Sequence, residues 1–383
     1  RGAKVTPGDL TAATSGGNIP AGEITVLYAQ MNCHNRAYGA WGHGLQENAP
    51  TEVAFKNRDG AVLPVLIRVR IPSDAKPGDY RGKLTVSADG EKTVKVPVEL
   101  HVADWRIPDP RDYRTYMGIY QSPTSLALQY KVKPWSEEHW KLVDKSFAML
   151  SRAGNKMVNV PVADETQFGN PEGMIYWVKK PDGGWKHDFS VFDRFMKMVV
   201  KQCGPLDYVC LQVWHAGGWS ARPANTKLTV TVLEEETGKK RQMQVPLWGT
   251  TEAVAFWKPF FAAVQARLAK LDMPKAMTVG ILSDSTAPRE VFKTMSEAWP
   301  GGKAMWHRGC HGAINNPEPY SVSKGNYVQL HEHCYGMHMS RPDAKELPQI
   351  HTFVGAPAAA YFRRTNHEQN TPLSGFRSMA ERA

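Results

Sequence analysis

From residue 1 to about 108 the apolar positions alternate with polar ones or gather in short runs. "GEITVLYAQ", "TEVAFKN", "VLPVLIRVRIP" and "YRGKLTVSADGEKTVKVPVELHVADW" are rich in Val, Ile, Leu and Thr. A period of two sends successive side chains to opposite faces, the mark of a half-buried strand. "SADGEK" places a glycine turn between two such runs and predicts a hairpin. The expected product is a β-sandwich domain over 1–108.

"RIPDPRDYR" (106–114) is a proline-punctuated joint, and beyond it the period changes. Apolar runs with polar tips occur at 116–123, 157–165, 208–219, 277–285, 303–312, 327–336 and 352–362. Helical patterns fill the gaps. "SEEHWKLVDKSFAMLSRAG" (136–154) has a Ser cap, acids in its first turn and a Gly stop. "TEAVAFWKPFFAAVQARLAKLD" (251–272) carries an apolar stripe, with Pro259 expected to kink it or to mark the first turn of the true helix. "APREVFKTMSEAWP" (287–300) has Pro in its first turn and Pro as its stop. Alternating strands and helices predict a parallel sheet. Polar and aromatic residues crowd the strand tips and no Gly-rich phosphate loop follows them, which favours a (β/α)8 TIM-type barrel over a doubly wound sheet. The barrel is assigned to 109–383, with an inserted hairpin at 225–247. Seven strands are legible, so a barrel lacking its last strand is expected.

The tips supply the candidate chemistry. Asp164 and Glu165 end the second strand, and Trp214, His215 and Trp219 the third. Asp284 and Ser285 end the fourth. Trp306, His307, Cys310 and His311 belong to the fifth; His331, Glu332, His333 and Tyr335 to the sixth; Tyr361, Arg363 and Arg364 follow the seventh. Aromatic faces stack on the C–H face of a sugar ring, and acids bind hydroxyls or move protons. Cleavage of a glycosidic bond usually needs two carboxyl groups flanking it. Asp284, Glu332 and Glu165 are the catalytic candidates. Trp214, His215, Trp306, His311, His331, Tyr335 and Asp164 are the candidates for holding sugar. Acids in such loops also cap helices, and Asp284 precedes one, so that alternative stays open.

"HRGCH" (307–311) and "HEHC" (331–334) raise a metal-dependent hydrolase or lyase as a further reading, since zinc accepts His and Cys. The spacings are not those of a zinc ribbon. In "HEH" alternate residues share a face, so either Glu332 or the His pair points away from the lumen. Hydrogen-bonding histidines are expected, with no metal and no cofactor. There is no GxSxG elbow and no Walker or dinucleotide motif.

Charge adds one distinction. The net charge of +10 and pI near 9.2 suit solubility or an anionic partner such as a sulfated or uronic glycan. The basic residues are scattered without a binding module, which argues against nucleic acid. No apolar run of about 18 residues exists, so no membrane span is expected. Five cysteines at irregular spacing are not a small-domain disulfide framework. The sequence sets no oligomeric state.

"IPSDAKPGDYRGKLTV" and "ELHVADWRIPDP" resemble the β-sandwich segment that precedes the barrel in glycoside hydrolase family 123. "PKAMTVGILSDSTAPREVFKTMSEAWP" is similar to that family's strand ending in an Asp-Glu pair followed by Pro. The resemblance implies a secreted or periplasmic exo-acting β-N-acetylgalactosaminidase. In that family the sugar's own acetamido oxygen attacks the anomeric carbon, the Asp orients and polarises the acetamido group, and the Glu is the acid/base. Carried over, Asp284 takes the orienting role and Ser285 stands where the acid would be. A serine hydroxyl does not supply a proton at neutral pH, so Glu332, then Glu165, is the expected replacement. A catalytically silent glycan-binding barrel is the alternative.

Overall fold

The computed structural model describes residues 1–14, 16–30, 34–35, 39–40, 44–53, 61–113, 121–166, 168–214, 228–281, 288–299, 304–310, 327–334 and 361–362, with 34–35, 39–40 and the last three ranges given by their backbone. The chain divides into two compact units, Arg1–Ile107 and Pro108–Ala383.

The first unit is antiparallel throughout. Its strands are β1 (Lys4–Pro7), β2 (Leu10–Ala12), β3 (Asn18–Ile19), β4 (Ile24–Gln30), β5 (His34–Asn35), β6 (Gly39–Ala40), β7 (Gly44–Gln46), β8 (Val65–Val69), β9 (Gly78–Ser87) and β10 (Val94–Val102). β9 pairs with β1, β2 and β10, and β4 pairs with β7 and β8. The β9–β10 hairpin turns through Ala88–Thr93, where the sequence places the glycine turn. Leu10, Ile19, Ile24, Tyr80 and Val102 form one buried cluster drawn from the β9 sheet and from β4. Tyr28 of β4 accepts the Val5 N–H at 2.9 Å, a polar tie to β1.

The second unit is mixed α/β. Its helices are α1 (Pro123–Tyr130), α2 (Glu137–Ser151), α3 (Ser190–Cys203), α4 (Thr251–Ala269) and α5 (Arg289–Ala298). A parallel sheet runs in the order β11 (Met157–Pro161), β14 (Tyr208–Gln212), β17 (Met277–Ile281), β18 (Ala304–Cys310), β19 (Tyr327–Cys334), β20 (Tyr361–Phe362). Among the described residues its edges are β11 and β20, no pairing joins them, and no closed barrel is found. The expected first strand falls largely on residues 114–120, outside the described residues. Ser122 already caps α1 through the Ser125 N–H.

Local rules explain the helices. Ser136 and Thr250 accept the third N–H of α2 and α4, at 3.3 and 3.2 Å. In α3, Phe192, Phe195, Met196, Val199 and Cys203 recur at helical spacing and are buried, and Gly204 (φ +78°) stops the helix. α4 starts at Thr251, so Pro259 lies inside it rather than in its first turn. The proline lacks the N–H that would reach the Ala255 carbonyl. Val158, Val160, Val209, Leu211 and Val279 of the sheet join the helices' Phe147, Phe195, Phe261 and Val264 in one core.

A second sheet was only half legible. β12 (Tyr176–Lys179) and β13 (Trp185–Asp188) form a hairpin after β11. β15 (Thr229–Leu233) and β16 (Lys240–Gln244) form another after β14. The two join by parallel pairing of Trp177 with Val232 into a four-stranded accessory sheet. Trp177 is fully buried and stacks on Phe256 and Phe260 of α4, with centroids 5.4 and 5.1 Å apart.

Candidate active site

In a parallel sheet the connections leaving the C-terminal strand ends carry the chemistry. Here the connection after β11 is tied down closely. Val162 and Ala163 both donate to the Gln212 carbonyl of β14, at 3.2 and 2.9 Å, and the Asp164 N–H donates to the Thr229 carbonyl at 3.0 Å. The Asp164 carboxylate is fully buried, and its Oδ1 accepts from Thr231 Oγ1 at 2.6 Å and from the Gly173 N–H at 3.1 Å. Asp164 thus binds both hairpins of the accessory sheet to the end of β11. Gly173 has no room for a side chain, since a Cβ there would lie 2.4 Å from the Val162 carbonyl oxygen.

Burial raises the Asp164 pKa, the hydrogen bonds from Thr231 and Gly173 opposing it and the neighbouring Glu165 charge adding to it. The folded form therefore holds its proton to a higher pH than the unfolded chain, and ionisation costs stability as pH rises past 3.8. Asp164→Asn keeps an acceptor for both donors and removes the charge that burial opposes. Its melting temperature is expected to match or exceed the parent's. Asp164→Ala strands the buried Thr231 hydroxyl as a donor, at about 1–3 kcal/mol, and leaves the Gly173 N–H only its bond to Thr231 Oγ1 at 3.2 Å. Thermal unfolding of the two variants checks this, and equal losses in both would contradict it.

Glu165 follows with φ +55°, a left-handed backbone that costs a non-glycine residue about 1–2 kcal/mol. It is exposed. Its N–H donates to the Asn170 carbonyl at 2.7 Å. The buried Asn170 side chain accepts from the Thr166 N–H at 3.1 Å and from Thr166 Oγ1, and donates to the Ala163 and Glu172 carbonyls at 2.9 and 3.0 Å. Ser122 Oγ donates to the Phe168 carbonyl at 3.1 Å, fastening the start of α1 to the same turn. A few residues on, Glu172 accepts from Trp135 Nε1 at 3.2 Å, Tyr176 OH at 2.8 Å and Lys240 Nζ at 2.8 Å. Burial, with the Glu172 charge second, pushes the Tyr176 phenol upward.

Of the sequence candidates, Asp164 and Glu165 lie together at this turn. Trp214 stands two residues past β14 but is 1% exposed and belongs to the apolar core, so its ring meets the interior. Asp284, His215, His311 and Tyr335 lie outside the described residues. Trp306, His331 and Glu332 are placed by backbone register alone, opposite Val279, Arg308 and Gly309; their side chains lie outside the description. The same holds for His307, Cys310, His333 and Cys334, while among the described residues no group of three or more His, Cys, Asp or Glu could hold a metal. The N-cap of α5 is Pro288, so Asp284 does not fill that position. Asn170, Gly173 and Thr231 are the site's supports that the sequence left unseen. "NPEG" (170–173) has the composition of a turn, but that says nothing of its partners.

Residues 120–304 match the family model described as "Glycoside hydrolase 123, catalytic domain". Over this span the chain is glycoside hydrolase 123-like. A solved structure of a family 123 glycoside hydrolase from Clostridium perfringens, described for glycolipid glycan hydrolysis, shares the fold with a TM-score of 0.64 at 16% identity. The alignment covers 87% of this chain and 58% of that one. A family 39 glycoside hydrolase from Bacteroides cellulosilyticus WH2 aligns at 14% identity and a TM-score of 0.29, over 80% of this chain and 48% of that one. No curated protein matches. The glycoside hydrolase 123-like span begins just before α1 and ends at the start of β18, so it takes in the Asp164–Glu165 turn and Asp284 but stops short of Glu332.

Proposed function

We propose that the protein is a secreted or periplasmic glycoside hydrolase acting on a complex glycan, amino-sugar-containing or anionic. Its architecture in this reading is a β-sandwich followed by a (β/α)8 barrel. The observation that carries it is the catalytic-domain match over 120–304, a span in which acids follow the C-terminal ends of β11 and β17. Asp284, three residues past β17, orients the sugar. Ser285 leaves the proton to another strand end. β11 and β19 each lie two strands from β17 in the sheet order. At about 4.8 Å per strand both are about 10 Å away. Glu165, after β11, and Glu332, on β19, are the acids proposed to supply that proton from strands on either side of β17.

Ser285 also favours a second reading, a glycan-binding barrel without turnover. One experiment separates the two: release of product from phenyl and 2,4-dinitrophenyl β-N-acetylgalactosaminides, natural glycans and sulfated polymers, with binding to the same glycans measured alongside. Release supports the hydrolase. Binding without release from any of them supports the silent barrel and overturns the hydrolase.

A further inference from the structure

The turn after β11 holds a carboxylate in a conformation that its own residue type disfavours. Glu165 is left-handed and exposed, and its neighbour Asp164 is fully buried and locked to Thr231 and Gly173. What closes the turn is Asn170. Its side chain is buried and spans the turn from Ala163, before the acids, to Glu172, after them, with Thr166 bound in between. Its backbone carbonyl takes the Glu165 N–H itself. All of these partners lie within the turn, and Asn170 touches both of its ends. An asparagine suits the position because one amide offers two donors and an acceptor.

We infer that Asn170 is a positioning residue for Glu165, holding it at the end of β11 as the proton donor that Ser285 cannot be. This rests on the glycoside hydrolase reading. In the step concerned the C1–O bond breaks, the sugar's acetamido oxygen bonds to C1, and the Glu165 carboxyl gives its proton to the leaving oxygen. The water that later opens the intermediate returns a proton to Glu165. A general acid works only within hydrogen-bond reach of the oxygen it protonates, so freeing the turn weakens this transfer and little else.

The leaving group provides the readout. A phenolate needs the proton; a 2,4-dinitrophenolate departs without it. In kcat/KM, which reports the bond-breaking step alone, Glu165→Gln is expected to slow the phenyl β-N-acetylgalactosaminide by about 100-fold or more and the dinitrophenyl one by less than about 10-fold. Asn170→Ala is expected to show the same selectivity at about 10–100-fold on the phenyl substrate. Thr166→Val, which removes one bond to Asn170 and keeps the volume, serves as a milder variant if Asn170→Ala fails to fold. Equal slowing of both substrates by these two variants, with Glu165→Gln selective, would leave Asn170 merely structural and overturn the inference while the donor assignment stands. A Glu165→Gln variant that is unselective or fully active overturns the donor assignment and the inference with it, and a selective Glu332→Gln then names the donor. No release by the parent protein from either aryl substrate overturns this inference; the hydrolase reading falls with it only when the natural glycans and sulfated polymers also give none.

Discussion

Hydrolysis by Asp284→Asn is expected to fall about 10²–10⁴-fold while the unfolding transition stays in place. The substitution is nearly isosteric and keeps a hydrogen-bond acceptor. In the proposed reading it removes the charge that polarises the sugar's nucleophilic group, so the loss should appear in kcat rather than in binding. Among the described residues the N-cap of α5 is Pro288, which makes no side-chain cap bond. An acid serving as an N-cap would instead cost about 0.5–2 kcal/mol on replacement. Turnover of the phenyl glycoside and a thermal melt, measured on the same preparation, separate the two roles. Activity within a few-fold of the parent's would remove Asp284 from the chemistry. A lowered melt with unchanged kcat would make it structural.

How much of this was legible in the sequence depends on range. The capped helices were readable because a cap is settled within four residues: Ser136 and His139 suffice for α2. The parallel strands were readable because Val158, Val160, Val209 and Leu211 form short apolar runs between helical patterns. The accessory hairpin β12–β13 was missed although "PDGG" (181–184) marks its turn. Its strands are four residues each and one face carries Trp177 and His187, a pattern too short to show a period. The site's supports were further out of reach. Thr231 meets Asp164 from 67 residues away, and nothing local in "TVTVL" distinguishes that threonine from Thr229. Trp214 looked like a sugar platform because it ends a strand, yet ending a strand does not say whether a ring faces the cleft or the core. The core took it.

Acidification from pH 7 to 4 is expected to cost the fold about 3 kcal/mol through a single histidine. His187 of β13 sits opposite Trp177, its ring 5.2 Å from Trp177, 6.0 Å from Phe189 and 5.4 Å from Phe260. Among the described residues its Nε2 has no hydrogen-bond partner. Burial in this aromatic nest, with the Arg267 charge second, pushes its pKa down to about 4 from 6.5. The Arg267 guanidinium lies 3.6 Å over Phe189 and is paired with Asp193 at 3.2 Å, which blunts its charge and leaves burial in command. The folded protein therefore binds fewer protons than the unfolded chain between pH 6.5 and about 4. The stabilisation is complete above 6.5, drains away across that window, and falls no further below it. Asp164 works in the opposite sense, its raised pKa favouring the fold at the acid end. Urea unfolding at pH 7, 5.5 and 4.5 on the parent and on His187→Phe tests the claim. Phe keeps the ring in the nest and cannot titrate, so the difference between the two proteins should grow toward acid by up to about 1.4 kcal/mol per pH unit. A difference that stays constant with pH would show that His187 titrates normally. The consequence reaches the site, because β12, which pairs with His187's strand, also pairs with β15, and β15 carries the Thr231 that holds Asp164. Protonating this half-buried imidazole on one edge of the accessory sheet is expected to loosen the sheet that holds the acidic turn.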